Sequence, residues 1–433
     1  MQSVDVAVIG AGPAGAAAAI TLARIGRAVT LVDRARFPRD KICGDGLTTG
    51  ALRLLEHLGL DPAAVASWQP VDDVVVRSPS GREVTFPLPR DRGAYAAVAR
   101  RADLDAALVD LARTAGVKVL DGHACTGASE DGEGVTLEVD GLGELRAPFA
   151  IAADGMWSPV RKHIGLATPG YRGEWHAFRQ YFSGVGPRAA RDLFVWFEPD
   201  LLPGYAWSFP LPDGRANVGF GIQRGGKVGR VQDMAGIWRR LLDRPHIRAV
   251  LGDGARPESP HRAWPIPAHV DGAVLAGRRT LFAGDAATAT DPLTGEGIGQ
   301  ALLTGVLAAE AIGDGRRAAS DVTAGYERAV RQALVADHRM SLLLIRAVKH
   351  RRGVRAALRL AGATGWARRN FGRWLFEDYP RAVVATPRRW RRGVLTGPGA
   401  YRVTPGATDP DTDAGTIRDA FADAATAPEA LDG

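Results

Sequence analysis

The beginning of the chain pairs short apolar runs with a turn rich in glycine. The runs Val4–Ile9 and Ala28–Val32 have the length of buried β-strands, and residues from Gly12 to Ile25 follow a helical pattern. A strand, a helix and a second strand in this order form a βαβ unit, in which the two strands are parallel. The pattern therefore predicts a parallel sheet of the kind that binds nucleotides.

Strand and helix patterns continue along the chain. Residues 166–270 are rich in aromatic residues and turn signals, which favours a mostly antiparallel sheet, and residues 322–376 are predicted to be helical. Further strands are predicted at Val71–Val76, Val84–Phe86, Val117–Leu120, Val135–Val139, Ala147–Ala152 and Thr280–Ala283, and helices at Arg101–Ala115 and Gly297–Ile312.

We therefore predict an α/β protein with a Rossmann-like nucleotide-binding domain, a mostly antiparallel β-sheet substrate domain and a helical C-terminal region. Because α/β patterns return late in the chain, the nucleotide-binding domain is expected to be discontinuous, formed by residues 1–70, 98–165 and 271–337. The substrate domain is assigned to residues 71–97 and 166–270. A basic helical region follows at 338–408, and residues 409–433 have the composition of a disordered acidic tail.

Composition narrows the class of protein. The 433 residues include only two cysteines, without CxxC or Cys/His spacing, so we expect neither a disulfide scaffold nor a metal site. The N-terminus lacks a basic leader, and no apolar run reaches the roughly 18 residues of a membrane-spanning helix. A cytoplasmic protein is expected.

Charge is concentrated near the C-terminus. The net charge is +7, yet the segment 338–402 contains 16 Lys and Arg against two acidic residues, while residues 403–433 contain seven acids and one arginine. Such a segment favours an anionic partner, either the headgroups of a membrane surface or a soluble prenyl diphosphate, with a merely solvated helical face as the alternative. It has no nucleic-acid-binding signature, so no nucleic acid is expected. The sequence leaves the oligomeric state open.

A dinucleotide fingerprint follows the first strand. Gly10, Gly12 and Gly15 form a GxGxxG motif that opens the first helix, and Asp33 ends the next strand. The glycines allow a tight turn and close approach of a pyrophosphate to the helix N-terminus, and the aspartate suits ribose hydroxyls. The residues predicted to contact the nucleotide here are Gly10, Gly12, Pro13, Ala14, Gly15, Asp33 and Arg34.

A second set of motifs favours FAD over NAD. A strand ending in Gly284 and Asp285 offers a carboxylate for a ribityl hydroxyl, and a helix beginning near Gly297 directs its positive end at an electron-rich group such as a reduced flavin ring. NAD needs no such second site. The predicted FAD contacts are completed by Arg101, Asp154, Pro292, Gly295 and Ile298.

Two further stretches are more selective. One is Phe37-Pro38-Arg39-Asp40-Lys41-Ile42-Cys43-Gly44-Asp45-Gly46, and the other is Tyr205-Ala206-Trp207-Ser208-Phe209-Pro210, followed by Gly219-Phe220-Gly221. With the motifs above, they make the chain resemble the geranylgeranyl reductase family of flavoproteins, which have the p-hydroxybenzoate hydroxylase fold. Members reduce C=C bonds in prenyl chains.

The resemblance implies a site between FAD and an aromatic sheet. Cys43 and Gly44 would lie at the flavin, where the Cys43 thiol is a candidate proton donor. Tyr205 and Trp207 are candidates for stabilising cationic character in the reacting alkene, since residues two apart share one face of a strand. The residues implied to line the substrate site are Tyr205, Trp207, Phe209, Gly219 and Gly221.

Other activities share these motifs. The first alternative is an NAD(P)H-dependent FAD monooxygenase that hydroxylates an aromatic or polyketide substrate, and the second is a flavin-dependent halogenase. A flavin-binding protein without turnover is a third. For the reductase, NADPH or NADH is the expected transient electron donor and a hydrophobic small molecule the expected substrate.

Overall fold

The computed structural model describes residues 2–225, 233–313, 316–387, 390 and 395–402. The predicted disordered tail, residues 409–433, lies outside the described residues. The fold is α/β, which confirms the predicted fold class, and it is built on four sheets.

A five-stranded parallel sheet forms the first layer. Its strand order is β20-β13-β2-β3-β9, so that strand β20 joins the sheet from late in the chain. β2, β3, β13 and β20 are buried throughout, as expected for parallel strands covered on both faces. The strands span Val6–Ile9 (β2), Val29–Asp33 (β3), Lys118–Asp121 (β9), Phe149–Ala152 (β13) and Thr280–Phe282 (β20).

Two helices cross closely against this sheet. They are α1 (Pro13–Arg24) and α8 (Ile298–Ile312). A Cβ atom on Gly305 of α8 would lie 2.1 Å from the backbone oxygen of Ala14 in α1, so the small residue allows the two backbones to touch. The glycine-rich turn and the N-terminus of α8 are thereby fixed relative to each other.

The structure also contains two small sheets, and the chain passes from one of them into the parallel sheet at Pro148. The predicted single strand Ala147–Ala152 was therefore wrong in one respect, because its residues are divided between two sheets. Proline has no N–H for a strand ladder, which suits a residue between two strands. One sheet contains β1 (Gln2–Ser3), β12 (Gly143–Ala147), β11 (Val135–Val139) and β10 (Cys125–Glu130), and the other β4 (Gly46–Leu47), β8 (Ala97–Val98) and β5 (Gln69–Pro70).

A large sheet of eight strands contains 11 of the 30 aromatic residues. All of its pairings are antiparallel except that of β15 with β6. The order is β18-β14-β17-β16-β15-β6-β7, with β19 also paired to β14. The strands are β6 (Asp73–Arg77), β7 (Glu83–Pro87), β14 (Trp175–Ser183), β15 (Leu193–Trp196), β16 (Ala206–Leu211), β17 (Arg215–Gln223), β18 (Arg256–Pro257) and β19 (Arg262–Ile266).

The C-terminal region is helical, as predicted, but it is divided into segments. A π-helical turn, Arg331–Val335, joins α9 to α10, and short breaks separate the next two helices. No helix in the described residues is both long and apolar enough to cross a membrane. The remaining helices are α2 (Thr49–His57), α3 (Arg101–Thr114), α4 (Pro159–His163), α5 (Pro187–Arg191), α6 (Met234–Leu242), α7 (Pro245–Leu251), α9 (Ala319–Val330), α10 (Ala336–Val348), α11 (Arg351–Ala361) and α12 (Gly365–Leu375).

Candidate active site

The glycine-rich turn is packed so tightly that two positions require glycine. Gly10 has a φ of +98°, and a Cβ atom there would lie 2.3 Å from a backbone oxygen of the adjacent segment. A Cβ atom on Gly15 would lie 1.7 Å from the carbonyl oxygen of Gly10. Gly12 precedes α1 as its N-cap, and Pro13 and Ala14 form the first turn. The first amide groups of α1 therefore face a turn that a diphosphate can approach.

Two guanidinium groups border this turn. Arg101 donates two hydrogen bonds of 2.8 Å to Asp105, and Arg39 pairs with the same carboxylate at 2.8 Å. A Cβ atom on Gly12 would lie 3.5 Å from Arg39 and 3.7 Å from Arg101. Two cations share one carboxylate, so net positive charge remains beside the N-terminus of α1, which fits a diphosphate. Arg101 was singled out from the sequence, whereas no local pattern marks Arg39 as its neighbour.

Asp33 lies at the end of β3 beside the same turn. Its Oδ2 accepts a hydrogen bond of 2.7 Å from the amide of Ala11, and its Oδ1 accepts one of 2.8 Å from the amide of Ala35. The carboxylate is thereby held rigidly against the glycine-rich turn, where each oxygen retains a second lone pair for a ribose hydroxyl. Arg34 follows it on the surface. Ribose binding by Asp33 and nucleotide contact by Arg34 stay predictions.

Asp154 follows β13, and one of its carboxylate oxygens accepts a hydrogen bond from a backbone amide. Its Oδ2 accepts a hydrogen bond of 3.0 Å from the amide of Val160 in α4. Burial raises the pKa of this carboxyl to about 6, against the hydrogen bonds that favour the carboxylate. Its buried Oδ1 has no hydrogen-bond partner among the described residues, so one oxygen remains for the predicted cofactor contact.

Asp285 lies in the turn Gly284–Ala287, just beyond the end of β20. It follows Gly284, whose φ of +61° turns the chain, and its Oδ2 lies 3.4 Å from the Nζ atom of Lys41. Lys41 also lies over the ring of Trp264, with Nζ 4.4 Å from the ring centroid. The ion pair is partly exposed, so the Asp285 carboxylate is accessible from solvent, and its contact with a ribityl hydroxyl stays a prediction.

Residues 291–297, which we call the flavin loop because the sequence predicts that they contact the flavin, lead into α8. Pro292 is buried at the start of the loop, Gly295 is exposed with a φ of +72°, and Gly297 precedes the first helical residue, Ile298. Gly297 has no side chain that could cap α8, and Glu296 accepts a hydrogen bond from the amide of Gly299, so the amide of Ile298 remains directed toward the space beyond the helix. This geometry suits the electron-rich edge of a reduced flavin.

A pair of buried carboxyl groups supports this loop. Glu296 accepts a hydrogen bond of 2.6 Å from the amide of Gly299, and Glu377 accepts one of 2.7 Å from Arg381. Burial, and then the charge of Glu377, raise the pKa of Glu296 to about 8. The raised pKa of Glu296 favours its neutral form, which reduces the negative charge at the start of α8.

Residues near the C-terminus fasten the same loop. Arg381 lies 3.6 Å from Asp291 and donates a hydrogen bond of 3.0 Å to Thr294, while Ser341 donates one of 2.6 Å to Asp291. Arg381 is only 3% exposed. Arg373 of the same basic segment is also buried, in an ion pair with Asp378, so these two arginines do not contribute to an exposed basic surface.

An aromatic row begins at Tyr205, just before β16, and continues along that strand. The ring centroids of Tyr205 and Trp207 lie 6.1 Å apart, and those of Trp207 and Phe209 lie 6.0 Å apart. Tyr205 donates a hydrogen bond to the backbone of Thr294, so the row reaches the flavin loop directly. On β17, a Cβ atom on Gly219 would lie 2.4 Å from the Trp207 indole. The structure thus brings these predicted residues together.

The loop from Cys43 to Gly46, which we call the Cys-Gly loop, packs against the end of this row. Cβ atoms on Gly44 and Gly46 would lie 3.4 and 3.1 Å from the Phe209 ring, so their small size brings the loop onto the aromatic face. Cys43 is half-buried, and its sulfur accepts a hydrogen bond of 3.3 Å from the amide of Asp45. Burial raises the pKa of the Cys43 thiol, although the charge of nearby Arg101 opposes this. Cys43 therefore holds its proton at neutral pH.

A buried hydrogen-bond network joins the loop to the aromatic row. Asn217 accepts a hydrogen bond of 3.1 Å from the Trp207 indole and donates bonds of 2.9 Å to the backbone of Cys43 and 2.8 Å to Asp45. The hydroxyl of Tyr181 donates a further bond of 2.6 Å to Asp45. Burial raises the pKa of the Asp45 carboxyl to about 6 despite these bonds. The network fixes the position of Cys43 relative to Trp207.

Three members of this network were missed from the sequence. Asp45 lies within the stretch from Phe37 to Gly46, and Asn217 lies two residues before Gly219, but no local pattern connects them. Tyr181 is 136 residues from Asp45. Only the fold shows that Asp45 is fully buried at a φ of 65°, where a short polar side chain can hold the backbone turn.

Comparison with known families and proteins agrees with this geometry. The model of the FAD binding domain family matches residues 3–328. A menaquinone reductase of Mycolicibacterium smegmatis is 34% identical over 334 residues, covering 72% of this chain and 76% of the relative. A digeranylgeranylglycerophospholipid reductase of Methanopyrus kandleri is 34% identical over 320 residues, covering 71% of this chain and 76% of the relative.

The fold is also found in a solved structure. A geranylgeranyl bacteriochlorophyll reductase-like protein from Thermoplasma acidophilum superimposes with a TM-score of 0.74. The two chains are 20% identical, and the match covers 89% of this chain and 98% of the other. At this identity the likeness concerns the fold, and it extends beyond residue 328 into the C-terminal helices.

Proposed function

Because the chain belongs to the geranylgeranyl reductase family of FAD-dependent oxidoreductases, we propose that it reduces C=C bonds in the prenyl chain of a hydrophobic, lipid-borne substrate. The relatives named above are reductases, which favours reduction over the hydroxylation and halogenation that the motifs alone left open. The observation that supports the substrate class is the row Tyr205, Trp207 and Phe209, closed at one end by the Cys-Gly loop.

The residues present fit FAD. Arg39 and Arg101 provide positive charge at the glycine-rich turn for the diphosphate, and Asp285 provides an accessible carboxylate for the ribityl chain. The N-terminus of α8, where Glu296 takes up the amide of Gly299 and leaves that of Ile298, suits the ring. When bound and reduced, FAD supplies a hydride for one carbon of the alkene. NADPH or NADH is the expected source of these electrons.

The second carbon of the alkene requires a proton. The Cys43 thiol is the candidate donor, because its raised pKa keeps it protonated and its loop lies against the aromatic row. Asp45 and Asn217 act as positioning residues, since their hydrogen bonds fix the loop. The proton lost from sulfur is replaced from solvent before the next cycle, so that each turnover adds one hydride and one proton to the substrate.

The aromatic row has two functions in this scheme. Its rings exclude water from the reacting carbons, and their negative faces stabilise cationic character that develops as the alkene is protonated. Trp207 is 6% exposed, and its N–H is satisfied by Asn217, so the indole can lie in an apolar site without an unpaired polar group.

Mass measurement tests the proposal. The FAD-loaded protein is incubated without oxygen, with a chemical reductant or NAD(P)H, and with prenyl quinones and prenylated lipids dispersed in detergent. A gain of about two mass units per reduced bond is expected, since two hydrogens are added. A product that appears only in air and has gained one oxygen atom would instead identify a monooxygenase.

A further inference from the structure

The C-terminal helices combine exposed cations with exposed apolar side chains. Residues 338–376 contain ten Lys and Arg and no Asp or Glu. Eight of these cations are exposed and form no ion pair with any residue that the structure describes, and we call them the cationic set. Its members are Arg346, Lys349, Arg351, Arg352, Arg355, Arg359, Arg368 and Arg369.

Large apolar side chains are exposed in the same region. Ten large hydrophobic residues are exposed among those described, and six of them lie between residues 342 and 395. Leu360 is the most exposed at 75%, followed by Trp366 at 64%. Leu360 lies two residues after the buried Leu358, so it projects from the opposite side of α11. The other four are Leu342, Leu343, Trp390 and Leu395.

The inner side of these helices borders the substrate site. Val354 and Leu358 of α11 belong to the same apolar cluster as Tyr181, and Phe209 packs against that cluster. Phe371 of α12 packs on Phe86 of β7, with ring centroids 4.6 Å apart. The inner side of α11 and α12 therefore packs against one wall of the aromatic site, and the outer side of α10–α12 faces away from it.

We propose that α10–α12 dock the protein on an anionic phospholipid surface, with the cationic set among the headgroups and Leu343, Leu360 and Trp366 inserted beneath them. Anionic headgroups complement eight unpaired cations, and the acyl boundary takes up side chains that otherwise remain in water. A nucleic-acid backbone would satisfy the cations but leave the leucines in water. The inference rests on the proposed function only in expecting a lipid-borne substrate beside this surface.

Vesicle flotation tests the docking, using the full-length FAD-loaded protein. We expect it to bind vesicles of phosphatidylcholine with phosphatidylglycerol, to bind phosphatidylcholine alone far more weakly, and to dissociate as salt is raised. Arg355→Gln with Arg359→Gln should weaken binding by about 25-fold, because each arginine near the membrane surface strengthens binding by about fivefold. The matched control is Arg239→Gln with Arg248→Gln, two exposed arginines of α6 and α7, which should change binding by less than about twofold.

A second pair of variants tests insertion. Leu360→Ser with Trp366→Ser should weaken binding by about tenfold or more, because two large apolar side chains no longer leave water. Ile25→Ser with Leu142→Ser, which removes exposed apolar side chains elsewhere, should not. Circular dichroism confirms that each variant is folded.

Absent binding, equal binding to both vesicle types, or preferential binding of duplex RNA would overturn the inference. Such a result would leave the proposed function intact if the detergent-dispersed substrate is still reduced. Conversely, vesicle binding without reduction would count against the proposed function alone.

Discussion

Trp207 lies across Gly219 of the neighbouring strand, at a point where a Cβ atom would come within 2.4 Å of both the indole and a backbone oxygen. The contact sets how far the indole extends over the sheet. Gly221, two residues later on the same strand, has no atom within 4 Å of its Cβ position. The two glycines of one motif therefore have different roles.

Gly219→Ala should displace Trp207 and reduce both stability and turnover. Overpacking of this kind costs about 1–3 kcal/mol. The free energy of unfolding from urea titration and the rate of substrate reduction measure the two effects. Gly221→Ala is the matched control and should leave both nearly unchanged; equal effects of the two substitutions would contradict the assigned contact.

Cys43→Ser should slow transfer from reduced flavin to the substrate by about 10²–10⁴-fold, the usual contribution of a general acid, because a hydroxyl is a weaker acid than a thiol. Stopped-flow absorbance separates this step from flavin reduction, which should keep its rate. Cys125→Ser, in β10, removes the other cysteine as a control. Equal loss in both half-reactions would assign Cys43 a structural role instead.

Asp45→Asn should alter the pH dependence of stability. The folded protein raises the pKa of Asp45 from 3.8 to about 6, so it binds more protons than the unfolded chain between these values. The native state consequently loses up to ~3 kcal/mol from this group as pH rises through about 6. The variant lacks that loss, and its unfolding free energy relative to wild type should increase from pH 4 to pH 7. A constant difference across this range would show that Asp45 titrates normally.

Arg381→Gln should loosen the flavin loop. It leaves the buried Asp291 and Glu377 without their cation, and breaking a buried ion pair costs about 3–5 kcal/mol. Weaker FAD binding, measured by flavin fluorescence, is expected with the loss of stability. Arg339→Gln breaks an exposed pair with Asp271 in the same region and should cost less than about 1 kcal/mol. Unchanged FAD affinity in Arg381→Gln would argue that the loop is held by other contacts.

Asp285→Ala should lower the FAD content of the purified protein, because it removes the carboxylate assigned to the ribityl chain. The ratio of flavin to protein absorbance measures occupancy. Asp271→Ala is a suitable control, since that aspartate also pairs with a basic side chain but is not among the residues predicted to contact FAD. Full flavin occupancy in the Asp285 variant would refute the assignment.

Local patterns account for the parts of this molecule that sequence alone could predict. The turn from Gly10 to Gly15, the strand that leads to Asp285 and the row from Tyr205 to Phe209 each lie within a short segment whose spacing fixes its geometry. Pro148 shows the limit of such patterns, since hydrophobicity continues across a point where the chain changes sheets.

Contacts between distant segments could not be predicted in this way. The hydrogen bond between Asn217 and Asp45 spans 172 residues, and that between Arg381 and Thr294 spans 87. A buried arginine in a basic segment looks like its exposed neighbours in the sequence, because only tertiary packing distinguishes them. The predicted flavin loop and the Cys-Gly loop are both positioned by such contacts.

The fastening of the flavin loop by Arg381 and Ser341 bears on protein engineering. Both residues lie after residue 328, where the match to the FAD binding domain family ends. Chimeras that exchange only the matched portion between relatives would combine one parent's loop with another parent's fastening residues. Recombination designs should therefore transfer the loop and the C-terminal helices as one block.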